Sequence, residues 1–359
     1  MTEGAKSTFD SCTGLPDAGA PPRSVVGDTR PPICAIMPFR NEAAHLPGSL
    51  GSLARQDFPR DRWRLIAVDN GSTDGGGDLV REFCAGHGIA CDVVREDRPS
   101  IPRALNRAIE RVLPGETVAR LDAHTLYDPG YLRTIDEAFA RLGPEVWCVG
   151  GAPTVAPPAD FSRALHASLL ESPMGVGPAA YRDNRSVEKP VTTIYLGAWR
   201  PGVLQRLGGF DEAWLANEDA ELNARIREAG GVVYRIDARS QKIVSRGALA
   251  AARQWTRYGF WRARTLRRHP SALRLRHVAP PAALLLGAAL ALSPAWPALV
   301  PLYAAYAAAT VAARPRGQPW TVTAATIVYF PIVQCGYAFG LMAGALGTRP
   351  RPTVGARTR

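Results

Sequence analysis

No aspartate or glutamate occurs after Asp237, although the chain runs on to Arg359. Lysine is nearly missing as well: Lys6, Lys189 and Lys242 stand against forty arginines. The first absence decides how the net charge of +11 is read. Residues 238–359 hold 17 of the 43 basic side chains, so residues 1–237 carry 26 basic against 32 acidic, a net of −6. An acidic body with a basic tail is not the layout of a nucleic-acid binder, and no nucleic-acid partner is expected. A basic segment beside apolar stretches points instead to an anionic membrane surface. The excess of arginine over lysine is compositional, since no site chemistry needs that ratio along a whole chain. The six cysteines form no C-x-x-C pair and no zinc spacing, which excludes a zinc module. Cys34 and Cys148 sit in apolar runs and read as buried thiols of a reducing compartment. Residues 1–31 contain no apolar stretch of the signal-peptide kind and read as a disordered leader. No G-x-G-x-x-G follows the first apolar run, where Pro38-Phe39-Arg40-Asn41 stands instead. That excludes a dinucleotide oxidoreductase.

Short apolar runs alternating with helical patterns fill residues 32–246. Ile33–Met37, ended by Pro38, reads as a first buried strand, and Asn41 and Glu42 open a helix with Leu46, Leu50 and Leu53 at helical spacing. Further strands are expected at Arg62–Asn70, Cys91–Arg95, Glu116–Leu121, Glu145–Gly151 and Gly231–Ile236. Helices are expected at Asp78–His87 and Ile101–Leu113, with Leu204–Phe210 and Asp219–Gly230 bracketing a further helical region. Residues 152–195 are Pro/Gly-rich and read as an irregular acceptor-binding loop. This alternation predicts an α/β fold with a mainly parallel, Rossmann-like sheet of βαβ units.

Acidic residues interrupt the pattern at three places, in order. Asp69 ends the apolar run of RLIAVDNGSTD (Arg64–Asp74), Asp122 and His124 stand in RLDAHT, and Glu218 and Asp219 stand in NEDAEL behind Gly208-Gly209-Phe210-Asp211. In an open α/β sheet, ligands sit at the carboxyl ends of the strands, so a carboxylate just past a buried strand is placed to meet one. For Asp69 the other reading is an Asx-turn that caps the loop. A first-turn carboxylate that serves only the helix dipole accounts for Glu221 and stays open for Glu218.

The ordered series resembles glycosyltransferase family 2, over roughly residues 33–270, whose catalytic domain has the nucleotide-sugar-binding GT-A fold. The resemblance implies a role for each site. Asp69 would accept a hydrogen bond from the nucleotide base, a charge-assisted contact. Asp122 occupies the place of the D-x-D motif, on ribose or a divalent metal, with His124 where the second acid usually stands. Imidazole suits Mn²⁺ better than Mg²⁺; otherwise Asp122 holds the metal mainly with diphosphate oxygens and water. The D-A-H variant is also found in the succinoglycan-type exopolysaccharide subset. Asp219 would be the single base of an inverting transfer, with Glu218 beside it, because a metal-bound diphosphate leaves without an acid. Gln254, Arg257 and Tyr258 in RQWTRYG resemble the family's Q-x-x-R-W element near diphosphate and acceptor; a membrane anchor is the other reading, and both can hold. Arg98 and Asn106 are further candidate nucleotide contacts. The implied partners are a nucleotide-diphosphate sugar, a UDP-sugar first, and a lipid-linked or polysaccharide acceptor. The alternative is an inactive GT-A membrane scaffold or regulatory protein, motivated by His124.

The tail changes character. Residues 247–277 carry eight arginines between Arg253 and Arg276, interleaved with Trp255, Tyr258, Phe260 and Trp261, and read as a basic-aromatic interfacial segment among membrane lipids. Residues 278–313 and 317–348 carry no charge. They read as transmembrane helices, since a span needs about 20 apolar residues. The first stretch is too long for one span and breaks at Ser293–Pro297, as a hairpin would; a buried soluble hairpin is the other reading. Residues 349–359 form a basic tail. A multi-pass protein of the plasma membrane with a cytoplasmic catalytic domain follows. Its span number stays open: two or three spans each leave one arginine group on the wrong side under the positive-inside rule.

Overall fold

The computed structural model describes residues 30–176 and 188–347. The expected leader, the basic tail from residue 349 and part of the 152–195 loop lie outside the described residues. The first half of the chain runs β1 (Ile33–Phe39), α1 (Leu46–Ala54), β2 (Trp63–Asp69), α2 (Gly76–Gly86), β3 (Cys91–Arg95), α3 (Ile101–Ile109), β4 (Thr117–Arg120), β5 (Thr125–Tyr127), α4 (Tyr131–Arg141) and β6 (Val146–Gly150). Then come β7 (Thr154–Val155), α5 (Phe161–Glu171), α6 (Pro173–Val176), β8 (Lys189–Pro190), β9 (Ala198–Trp199), α7 (Val203–Arg206), α8 (Glu218–Glu228), β10 (Val232–Arg235) and β11 (Ser240–Lys242).

Among the described residues the main sheet has eight strands in the order β3-β2-β1-β4-β9-β6-β10-β8. β1 pairs in parallel with β2 and β4, β2 with β3, and β6 with β10. The sheet is nonetheless mixed, because β9 runs antiparallel to both β4 and β6 and β8 is an antiparallel edge. Side chains alternate across it, as a period of two requires. Ile33, Ala35, Met37 and Phe39 pack under α1, α2 and α4, while Cys34 and Ile36 pack under α3, α7 and α8. The result is a three-layer αβα body.

Several expected boundaries move. β1 continues through Pro38 to Phe39 because β4 pairs only as far as Ile36, so the missing N–H faces no ladder. The first helix starts at Leu46, and Asn41, at φ 53°, belongs to the turn before it. The expected irregular loop contains α5, whose N-cap Asp160 accepts from the Arg163 N–H. A second, three-stranded sheet, β5-β11-β7, sits beyond the end of β4.

The C-terminal part is helical: α9 (Ala248–Arg268), α10 (Leu275–Ala291), α11 (Leu299–Ala312) and α12 (Trp320–Ala345). The expected break at Ser293–Pro297 is present between α10 and α11. Among the described residues only α12 is long and apolar enough to cross a membrane, so the two or three expected spans reduce to one candidate. The expected boundary at residue 246 falls inside packed structure: Phe260 and Trp261 of α9 share a buried cluster with Trp214 and Ala216.

Candidate active site

The loops at the carboxyl ends of β1, β2 and β4, the start of α8 and one face of α9 enclose a cleft of about 760 Å³. Asp122, His124, Glu218, Asp219, Gln254, Arg257 and Tyr258 all line it. Residues more than a hundred positions apart in sequence thus share one cleft.

At the floor lies Arg120, the last residue of β4 and only 6% exposed in its side chain. Its guanidinium reaches Asp219 at 2.5 Å, Glu218 at 3.1 Å and Asp122 at 3.7 Å. Three carboxylates thus share one buried cation. Burial would lower the Arg120 pKa, but the charges of Asp219, Asp122 and Glu218 outweigh it and hold it above its ordinary value. Asp219 behaves differently. Burial raises its carboxyl, Arg120 opposes the rise, and the Glu218 and Asp122 charges add to it, leaving it pushed up to about 7. Asp219 still keeps 22% of its side chain exposed. Both acids sit in the first turn of α8, after Asn217 in a left-handed conformation at φ 60°.

Burial also raises Asp122, but Arg120, His124, Lys242 and the Tyr195 hydroxyl outweigh it, so its carboxyl stays below the ordinary carboxylate range. Tyr195 donates to Asp122 Oδ2 at 2.5 Å and accepts from Lys242 Nζ at 3.2 Å. His124 Nδ1 stands 3.4 Å from Glu42 Oε1. Among the described residues no three His, Cys, Asp or Glu side chains form a metal cage. One carboxylate and one imidazole, two residues apart in the cleft wall, fit an ion whose remaining coordination comes from a ligand's phosphate oxygens and water.

Asp69 does not line this cleft, although its neighbours Asn70, Phe39 and Arg40 do. Its Oδ1 accepts from the Ser72 N–H at 2.7 Å, so the turn-capping contact is present, while Oδ2 lies 3.6 Å from Arg95. The DNGSTD loop is further tied to the turn after β1, where Asn41 Oδ1 accepts from the Thr73 N–H at 2.9 Å. Asn106, an expected nucleotide contact, does not line the cleft. Its amide donates to Phe210 O at 2.9 Å and accepts from Phe210 N–H at 2.8 Å, clamping the loop that leads into α8. Arg98 is exposed and outside the cleft lining, and its backbone N–H donates to Glu96.

The cleft is also lined with basic residues: Lys242, Arg246, Arg257, Arg262 and Arg276. Gln254 donates to the Tyr258 hydroxyl at 2.5 Å, and the Tyr258 carbonyl accepts from Asn217 Nδ2 at 3.0 Å, which ties α9 to the residue before Glu218. Arg120, Tyr195 and Lys242 are the members that sequence reasoning missed. An arginine inside a buried strand needs acidic partners, and Lys242 is one of only three lysines, so both carried a signal. Tyr195 carried none.

The family model Glycosyl transferase family 2 matches residues 34–190. Succinoglycan biosynthesis protein ExoA of Rhizobium meliloti (strain 1021) is 30% identical over 276 residues, covering 74% of this chain and 80% of that protein. Validoxylamine A glucosyltransferase of Streptomyces hygroscopicus subsp. jinggangensis is 28% identical over 221 residues, 56% of this chain and 52% of that one. Among solved structures, a mannosyltransferase from Pyrobaculum calidifontis in complex with GDP-Man and Mn²⁺ superposes with a TM-score of 0.61 at 22% identity, covering 90% of this chain and 89% of the other. The likeness is one of fold, and it extends over the C-terminal helices.

Proposed function

The chain belongs to glycosyltransferase family 2, with the GT-A fold, and from that premise we propose an inverting transfer in which Asp219 is the base. One observation carries this reading: a cleft-facing carboxyl pushed up to about 7 beside a buried arginine. A base works best with a pKa near the operating pH. The acceptor hydroxyl gives its proton to Asp219, its oxygen bonds to the anomeric carbon from the face opposite the diphosphate, and the carbon–oxygen bond to the diphosphate breaks with its electron pair leaving on the diphosphate. Glu218 shares Arg120 with Asp219 and sets the local charge. Arg246 and Arg257 make no ion pair among the described residues and face the cleft, which suits them to a diphosphate.

Asp69 is assigned to the nucleotide base through Oδ2, its Oδ1 being held by the turn. The donor is read as a UDP-sugar. Asp122 and His124 would hold a divalent ion, Mn²⁺ in preference to Mg²⁺, which supplies charge neutralisation of the diphosphate when bound. The kinship with a succinoglycan biosynthesis protein supports an exopolysaccharide setting, with a lipid-linked or polysaccharide acceptor at the cytoplasmic face of the plasma membrane. The alternative of an inactive scaffold has no support from a site that retains its candidate base.

Asp219→Asn should keep nucleotide binding and lose transfer by about 10²–10⁴, the usual worth of a positioned base. The check is radiolabelled sugar transfer into lipid extract beside thermal stabilisation by UDP with Mn²⁺. Transfer at the parent rate by the Asn variant would remove the assignment.

A further inference from the structure

Both halves of α12 are fastened to the catalytic body. In the first half, Val322, Phe330 and Val333 join Leu165 and Leu169 of α5 in one buried cluster. Gln318, just before it, accepts from Ser168 at 2.7 Å, the Tyr329 hydroxyl donates to Ala248 O at 3.0 Å, and Gln334 donates to Met174 O at 2.6 Å. In the second half, Gly336, Gly340 and Gly344 lie against Thr256 and Phe260 of α9, where a Cβ on Gly340 would come within 1.9 Å of Thr256 O. A contact from Tyr329 to Ala248 at one end and from Arg267 Nη1 to Ala345 O at the other shows that the two helices run parallel.

This attachment conflicts with a crossing. α9 carries Arg253, Arg257, Arg262, Arg264, Arg267 and Arg268, and Arg268 pairs with Asp211 at 2.6 Å. A vertical α12 would draw these into the hydrocarbon, where a charged arginine is strongly disfavoured. The free face of α12 tells the same story. Trp320, Val328, Ile332, Phe339 and Leu346 are exposed from one end of the helix to the other. The α10–α11 hairpin differs: after Pro281 no residue of α10 is buried, and in α11 only Thr310 is. From Val278 to Ala291 it extends about 21 Å, and its tip carries the exposed Trp296. That depth exceeds one leaflet's hydrocarbon but falls short of the full ~30 Å. Arg274 and Arg276 stand at its entry and Arg314 and Arg316 at its exit.

We infer that the chain is monotopic: α12 lies in the plane of an anionic membrane surface, the α10–α11 hairpin enters that surface and returns, and no described segment crosses. This rests on the membrane reading of the proposed function. It removes the conflict between the arginines at 253–276 and those at 314 and 316, because both groups then stay on one side.

The test uses full-length protein in right-side-out and inside-out membrane vesicles, labelled with a membrane-impermeant maleimide on Arg316→Cys, Ala295→Cys and Leu346→Cys, each compared with the parent chain. Positions 316 and 346 should label only in inside-out vesicles, and position 295 in neither until detergent is added. Labelling of 346 or 295 in right-side-out vesicles would overturn the inference. Carbonate washing of the same vesicles tests the membrane reading by itself. Protein in the pellet with 346 outward rejects only the in-plane arrangement, whereas protein in the supernatant, or a soluble dimer that hides this face, rejects both.

Discussion

Because the Asp219 carboxyl is pushed up to about 7, close to half of it carries a proton at neutral pH. Transfer should therefore fall on the acid side about tenfold per unit below pH 7, as kcat/KM in the free enzyme reports. Glu218 raises that carboxyl, so Glu218→Gln should move the acid limb to lower pH; an unmoved limb would detach Glu218 from the base. The same shift acts on stability. The folded value lies above the ordinary value of about 4, so the native state binds the extra proton between roughly pH 4 and 7. The stability it contributes is full below pH 4 and is lost as pH rises through 7. Asp219→Asn should flatten that part of a Tm-against-pH curve. With His124 in the cleft, activity should vanish in EDTA and return better with Mn²⁺ than with Mg²⁺, and His124→Asp should shift the preference toward Mg²⁺; full activity in EDTA would remove the metal. At this scale the sequence was legible where a carboxylate ended an apolar run, as at Asp122, or opened a helix, as at Asp219. It was not legible where a partner arrived from another element: Tyr195 reaches Asp122 across 73 residues of chain, and no local pattern encodes that.

Among elements, the long central strands and α2, α3 and α8 were readable because their apolar positions repeat over several residues. β5 and β9 are three and two residues long, too short for a period, and α5 was hidden among prolines. The α9–α12 seam was misread for a different reason. Its contacts are glycines and apolar side chains, which look the same facing a helix as facing lipid. Gly340→Leu should show the difference. It must part the two helices, at about 1–3 kcal/mol for overpacking, and so displace the Gln254–Tyr258 face from the cleft. Gly287→Leu, on the naked part of α10 with nothing within 4 Å of its Cβ, should be neutral. Equal Tm and equal transfer for both variants in detergent would show that the seam does not hold.

For the molecule as a whole, the charge division at Asp237 was legible and correctly separated an acidic body from a basic tail. It also suggested a unit ending near Arg246, and we propose instead that the C-terminal helices are part of that unit, because Phe260 and Trp261 pack on Trp214 and Ala216. Ending the chain there uncovers Trp214, Ala216, Leu165 and Leu169, all buried beneath the C-terminal helices. Such a fragment should aggregate, whereas the full chain extracted in detergent should be monodisperse by size-exclusion chromatography. A soluble residue 1–246 fragment that is stabilised by UDP with Mn²⁺ would restore the independent domain.

The seam also orders events in time. α9 is synthesised well before the helix that braces it, with 51 residues between Arg268 and Trp320. At about 5–20 residues per second, translation takes roughly 3–10 s to bridge that gap. During it Asp219 and its carboxylate neighbours already exist, but α9 beside them has no support. A nascent chain that has not yet made α12 therefore holds only one side of the candidate site in place, and the other side is set when α12 docks on α9.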